Sequence, residues 1–164
     1  MFDFAPAPDC SPEERYQQLF EAADAITRDE PDAIANMANV ASLLDLFIPD
    51  CNWTGFYRVI GEGEKAELVL GPFAGKPACI RIPFGQGVCG AAAESGATQL
   101  VEDVHAFPGH IACDAASRSE VVVPIERNGQ VIAVIDLDSP TPARFTQEDA
   151  QGLERVAELL SSRI

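Results

Sequence analysis

Apolar residues recur every three to four positions near both ends of the chain and every second position between them. Tyr16, Leu19, Phe20, Ala23 and Ile26 form one helical stripe. Ser11 stands before Pro12 and three residues ahead of Glu14, the signature of a capped helix start with proline in the first turn. Ile34, Met37, Ala38, Ala41 and Leu44 predict a second helix, beginning at Pro31. From Trp53 the period drops to two. Residues 53–60 and 67–71 read as a hairpin around the polar GEGEKA turn, residues 72–79 as a loop, and IRIPF at 80–84 as a short strand. A small helix comes next in the glycine-rich GQGVCGAAAES, then a short strand at 98–101 and a long loop over 102–117. Loops of that length inside a compact domain are more often functional than idle. Residues 119–127 and 130–138 flank Asn128-Gly129, a strong two-residue hairpin signal. Thr146 and Asp149 cap a last helix, whose stripe is Leu153, Val156, Ala157 and Leu160. These elements predict an α+β fold, an antiparallel sheet flanked by N-terminal and C-terminal helices. It forms a single domain over residues 11–164 behind a flexible Pro/Ala-rich N-terminus at 1–10.

Charge narrows the class. The net charge of −15, from 26 acidic and 11 basic residues, repels phosphate backbones and anionic lipid, so neither nucleic acid nor membrane is expected as a partner. The first residues carry no basic segment followed by an apolar one, and no apolar run approaches the roughly 20 residues of a membrane span. The expected compartment is the cytoplasm, where thiols stay reduced unless they do redox work. Five cysteines, an odd number, argue against a closed set of structural disulfides.

Cys79, Cys89 and Cys113 all fall in or beside irregular segments. A lone cysteine is more often an inert buried apolar residue, but three in loops suggest chemistry. Cys89 sits where a helix begins, and free backbone N–H groups there favour a thiolate. Asp114 beside Cys113 works the other way, since a neighbouring negative charge raises a thiol pKa. Cys10 and Cys51 read as incidental. His105, His110 and Cys113 match no common zinc spacing, so no metal is expected.

Two further groups stand out. Asp136 and Asp138 are two apart on a strand and share a face; in a partly dry site they would attract an ammonium group and raise one another's pKa. They also suit a simple strand-end turn. Trp53, Gly55 and Tyr57 share a face as well, and Gly55 leaves a gap between two rings that suits a methyl or cationic group. Ordinary core packing explains the same aromatics. Pairing across the Asn128-Gly129 turn sets Glu120 opposite Leu137, away from both aspartates. Glu120 joins them only if a bulge, expected at Pro124, shifts the register by one, or if the strand end frays.

The segments NWTGFY (52–57), LVLGPFAGKPAC (68–79), IPFGQGVCG (82–90), DVHAFPGHIACDAAS (103–117), SEVVVPI (119–125) and NGQVIAVIDLDSP resemble the free methionine-(R)-sulfoxide reductases, a family similar in fold to GAF domains. The resemblance covers about residues 50–160. It implies a GAF-like sheet and reduction of the free amino acid L-methionine (R)-sulfoxide to L-methionine. It further implies Cys113 as nucleophile, Cys89 and Cys79 as resolving cysteines in an order left open, and Trp53 and Tyr57 lining the methyl-sulfinyl pocket. Glu120, Asp136 and Asp138 would contact ammonium and sulfoxide oxygen, with Glu120 as acid. Arg118 departs from the pattern; two residues from Glu120, it is expected to lower that pKa. No bound cofactor is implied. Electrons would come from thioredoxin, with NADPH and thioredoxin reductase behind it, and oligomeric state is left open, a homodimer included. The competing expectation is a non-catalytic GAF domain that senses a small molecule or redox state, because fold alone does not give function.

Overall fold

The computed structural model describes residues 4–111 and 114–164. Helices α1 (Pro12–Thr27) and α2 (Ala33–Phe47) precede strands β1 (Trp53–Ile60), β2 (Glu67–Gly75) and β3 (Arg81–Pro83). Helix α3 (Gly87–Ser95), strands β4 (Gln99–Val101), β5 (Ser119–Arg127) and β6 (Gln130–Ser139), and helix α4 (Gln147–Leu160) complete the chain. The six strands form one antiparallel sheet in the order β3-β2-β1-β6-β5-β4. None of the helices among the described residues is long and apolar enough to cross a membrane.

Strand alternation divides the core in two. Phe56, Val121, Val123, Ile125, Ala133, Ile135 and Leu137 point to one face, where they pack with Leu19, Met37, Leu44, Leu153 and Val156 of α1, α2 and α4. Trp53, Tyr57, Leu68, Val122 and Val134 point to the other, beneath α3. The helices obey local rules. Ser11 and Glu14 form the expected capping box, and so do Thr146 and Asp149. The second helix starts at Ala33 and not at Pro31, because the Asp32 carboxylate accepts the Ala35 N–H and so serves as its cap. Ile34 and Ala38 of its expected stripe face solvent; Val40, Leu43 and Phe47 take the buried positions.

Two irregularities interrupt the sheet. Strand β2 continues through the expected loop to Gly75, pairing Phe73 with Gly55 and Ala74 with Thr54. The ladder slips by one between Gly55 and Tyr57, so Gly71 and Pro72 together face Phe56. That accommodates a proline with no N–H to give. In the β5–β6 hairpin the register also shifts by one, between Ile125 and Glu126, leaving Ile132 as an extra residue in β6. The bulge expected at Pro124 therefore exists but lies one step along and on the partner strand; Pro124 itself pairs regularly with Val134.

Candidate active site

The extra residue Ile132 decides the floor of a pocket. Above it the register sets Glu120 opposite Asp138 and Val122 opposite Asp136, so Glu120, Asp136 and Asp138 share one face. Helix α3 lowers Cys89 onto them. It can do so because residue 90 is glycine: a Cβ there would lie 2.4 Å from the Pro83 carbonyl oxygen. Cys89 Sγ then reaches 4.0 Å from Glu120 Oε1. Glu120 and Asp136 are buried, with 7% and 5% of their surface exposed.

Burial in this cluster shifts every acid upward. Loss of water is the main cause for Glu120, followed by the charges of Asp136 and Asp138, and its carboxyl stands well above the usual range. Asp136 is raised by burial and by Asp138, although hydrogen bonds from Cys89 and Glu120 partly oppose this. Asp138, on the open side, is pushed up by burial to about 6, held from going further by a hydrogen bond from Ser117. Burial first, then Asp136 and Glu120, push the Cys89 thiol well up too. The thiolate expected from the start of α3 is thus overturned: one helix turn of N–H groups loses to desolvation and neighbouring carboxyls. Arg118 does not lower Glu120 either; it is exposed and acts on Asp103. Asp136 Oδ1 is buried with no hydrogen-bond partner, a cost that a ligand donor could relieve.

Trp53 and Tyr57 form one wall, with ring centroids 5.8 Å apart. The gap foreseen at Gly55 is filled: Phe73 stacks on Trp53 at 5.2 Å, and a Cβ on Gly55 would lie 2.4 Å from Phe73 Cβ. Each wall ring also holds the loop after β2. The Trp53 indole N–H donates to the Lys76 carbonyl at 3.2 Å, and the Tyr57 hydroxyl donates to the Cys79 carbonyl at 3.1 Å.

The roof comes from the long loop. Asn52 Nδ2 donates to Asp114 Oδ2 at 3.2 Å and to Ser117 Oγ at 3.1 Å, and Lys76 Nζ lies 3.3 Å from Asp114 Oδ2. The Ala116 N–H, foremost, keeps the Asp114 carboxyl below its ordinary value. His110, Ile111, Asp114 and Ser117 line the cavity with the floor and wall residues. The cavity they enclose is small, about 40 Å³, and opens to solvent at its mouth.

Of the residues singled out from sequence, Trp53, Tyr57, Cys89, Glu120, Asp136 and Asp138 meet in this one cavity. Cys79 is in the adjoining loop and is disulfide-bonded, whereas Cys10, Cys51 and Cys89 are free thiols. Cys113 lies outside the described residues. Cys51 is half-buried, its thiol pushed up to about 12 by burial. Sequence reading missed the lining roles of Gln86, Ile111 and Ser117. Ser117 was legible only as part of a long loop, because its bond to Asp138 depends on how that loop folds back.

Comparison with known proteins agrees with this geometry. The GAF domain model matches residues 17–164. Fold and match together define a GAF domain, one whose pocket is lined by carboxyls and a thiol. The free methionine-R-sulfoxide reductase of Escherichia coli is 48% identical over 143 residues, spanning 87% of this chain and 84% of that one. The X-ray structure of free methionine-R-sulfoxide reductase from Neisseria meningitidis in complex with its substrate has a TM-score of 0.92 at 40% identity, covering 99% of this chain and 95% of that one. A structure described as a putative GAF sensor protein from Burkholderia vietnamiensis has a TM-score of 0.87 at 50% identity, over 94% and 96% of the two chains. The chain belongs to the GAF-domain family of free methionine-R-sulfoxide reductases.

Proposed function

We propose that this protein reduces free L-methionine (R)-sulfoxide to L-methionine with Cys113 as nucleophile. The observation that carries the reading is the cluster of Glu120, Asp136 and Asp138, protonated more readily than free carboxyls, beneath an aromatic wall and next to a disulfide-bonded cysteine. Trp53 and Tyr57 offer apolar faces to the methyl-sulfinyl end. Asp138 and the unpartnered Asp136 Oδ1 offer acceptors to the ammonium group.

In the proposed reaction the Cys113 sulfur attacks the sulfoxide sulfur while Glu120 gives a proton to the oxygen, which gains charge as its bond to sulfur weakens. The oxygen passes to Cys113 as a sulfenic acid, methionine departs, and the two-electron oxidation now resides on the cysteine. A second thiol displaces water from the sulfenic acid and forms a disulfide. We assign that first resolving step to Cys79, which is already disulfide-bonded, over Cys89, whose buried thiol resists ionisation. A dithiol protein such as thioredoxin, supplied by NADPH and thioredoxin reductase, would restore the thiols by exchange.

Incubating the protein with mixed sulfoxide epimers, thioredoxin, its reductase and NADPH tests this directly. NADPH consumption should stop when about half of the total sulfoxide is used, and Cys113→Ser should show no multiple turnover. Ligand binding with no consumption would instead establish a sensor, and continued turnover by Cys113→Ser would remove that residue as nucleophile.

A further inference from the structure

The pocket floor gathers a thiol and two carboxyls that, besides serving the amino acid, form a donor set of metal-binding type. Cys89 Sγ and one oxygen each of Glu120 and Asp136 lie within 4.8 Å of one another, on α3, β5 and β6 respectively. We propose that these three atoms form a binding site for a thiophilic divalent cation such as Zn²⁺, which closes the pocket by occupying its floor.

The dimensions fit. Zinc bonds of about 2.3 Å to sulfur and about 2.1 Å to oxygen place tetrahedral ligand atoms roughly 3.6 Å apart. The 4.0 Å between Cys89 Sγ and Glu120 Oε1 needs a contraction of about 0.4 Å to reach that, and the other separations, all within 4.8 Å, need at most about 1.4 Å, which side-chain rotation supplies. The donors belong to two neighbouring strands and a helix packed on them, so the set is largely assembled before the ion arrives. Three protein ligands leave the fourth position toward the cavity.

A second observation points to a ligand independently of the cluster's composition. Asp136 is 5% exposed, lines the cavity, and its Oδ1 has no partner. A buried acceptor without a donor is a standing cost, and a cation removes it. Three neighbouring acids also repel one another when ionised. A dication would replace their protons, converting mutual repulsion into shared attraction, so binding should strengthen as pH rises. Because Asp136 is where the ammonium group is proposed to dock, cation and amino acid would exclude each other.

The test uses the disulfide form, in which Cys79 is not a ligand, carrying Cys10→Ser and Cys51→Ser to remove the other free thiols outside the pocket. Calorimetric titration with Zn²⁺ should show one ion per chain, bound more tightly at pH 8 than at pH 7. Co²⁺ should give the thiolate-to-metal absorption of a tetrahedral site. Cys89→Ala should weaken Zn²⁺ by more than about tenfold, a loss that even residues merely supporting a ligand can cause. The near-isosteric Asp136→Asn should do the same, and it decides the matter if Cys89→Ala fails to fold. Absence of saturable binding, or affinity unchanged in both variants, overturns the site. No turnover is measured, so failure here leaves the proposed reaction standing, and failure of the reaction leaves the cation site to be judged on its own titration.

Discussion

Asp136 shows how much one residue's surroundings change its chemistry. On an exposed strand end it would be an ordinary carboxylate; between Cys89, Glu120 and Asp138 it holds its proton far longer. A carboxyl whose folded pKa exceeds its unfolded one favours the native state at low pH, and that advantage fades as pH rises through the folded value. The unfolded chain releases the proton near pH 4, and Asp138 follows at about 6 in the fold, so the penalty accumulates across that window and persists above it. Asp136→Asn removes one ionisable member while keeping its shape. We expect the variant to melt at a higher temperature than the parent at pH 8 and at nearly the same temperature at pH 4. Equal gains at both values would show that ionisation of this buried carboxyl, by loss of water and then by repulsion from Asp138, is not what strains the floor. The shared face of Asp136 and Asp138 was legible in the sequence, since it needs only a period of two. The filling of the Gly55 gap was not: Phe73 arrives there through a strand pairing that its own local pattern, ending in Pro72, hides.

At the scale of elements, the caps and the Asn128-Gly129 turn were readable because they depend on residues three or fewer positions apart. The extent of β2 was not, because a neighbouring strand decides it; the start of α2 was misplaced although its Asp32 cap is equally local, because Pro31 also suits a first helical position. The hairpin lies between these cases. Sequence called for either a one-residue shift or a frayed strand end if Glu120 was to join the aspartates, and the shift is what is present, although not at the proline that suggested it. Ile132 is the surplus residue, half-buried against the helix-side core. Deleting Ile132 should therefore leave Arg127 opposite Gln130 and Glu120 opposite Asp138 in an unbulged ladder. We expect that deletion to keep the pocket's ligand affinity and to lose roughly 1–2 kcal/mol from the missing side chain, a fall of roughly 2–8 °C in melting temperature. Loss of ligand binding in a protein that still folds would mean the bulge shapes the floor beyond fixing its register.

Across the whole molecule, the sheet separates labour. Its helix-side face carries most of the apolar core, whereas the opposite face supports acids, aromatics and loops at some cost in stability. Functional sites commonly concentrate such conflicts, and the rest of the fold must absorb them. The long loop remained opaque to sequence for the same reason: Asn52, Lys76 and Asp114, distant in the chain, fix its path together. One part of this arrangement gives the protein an optical property. Trp53 is its sole tryptophan, stacked on Tyr57 and Phe73 and tied through its indole N–H to the segment that bears Cys79. Its emission should shift or change in yield when dithiothreitol opens the disulfide, and an unchanged spectrum would mean that the Lys76 tether does not transmit the change. The protein thus carries an unlabelled fluorophore whose light reports a single thiol couple.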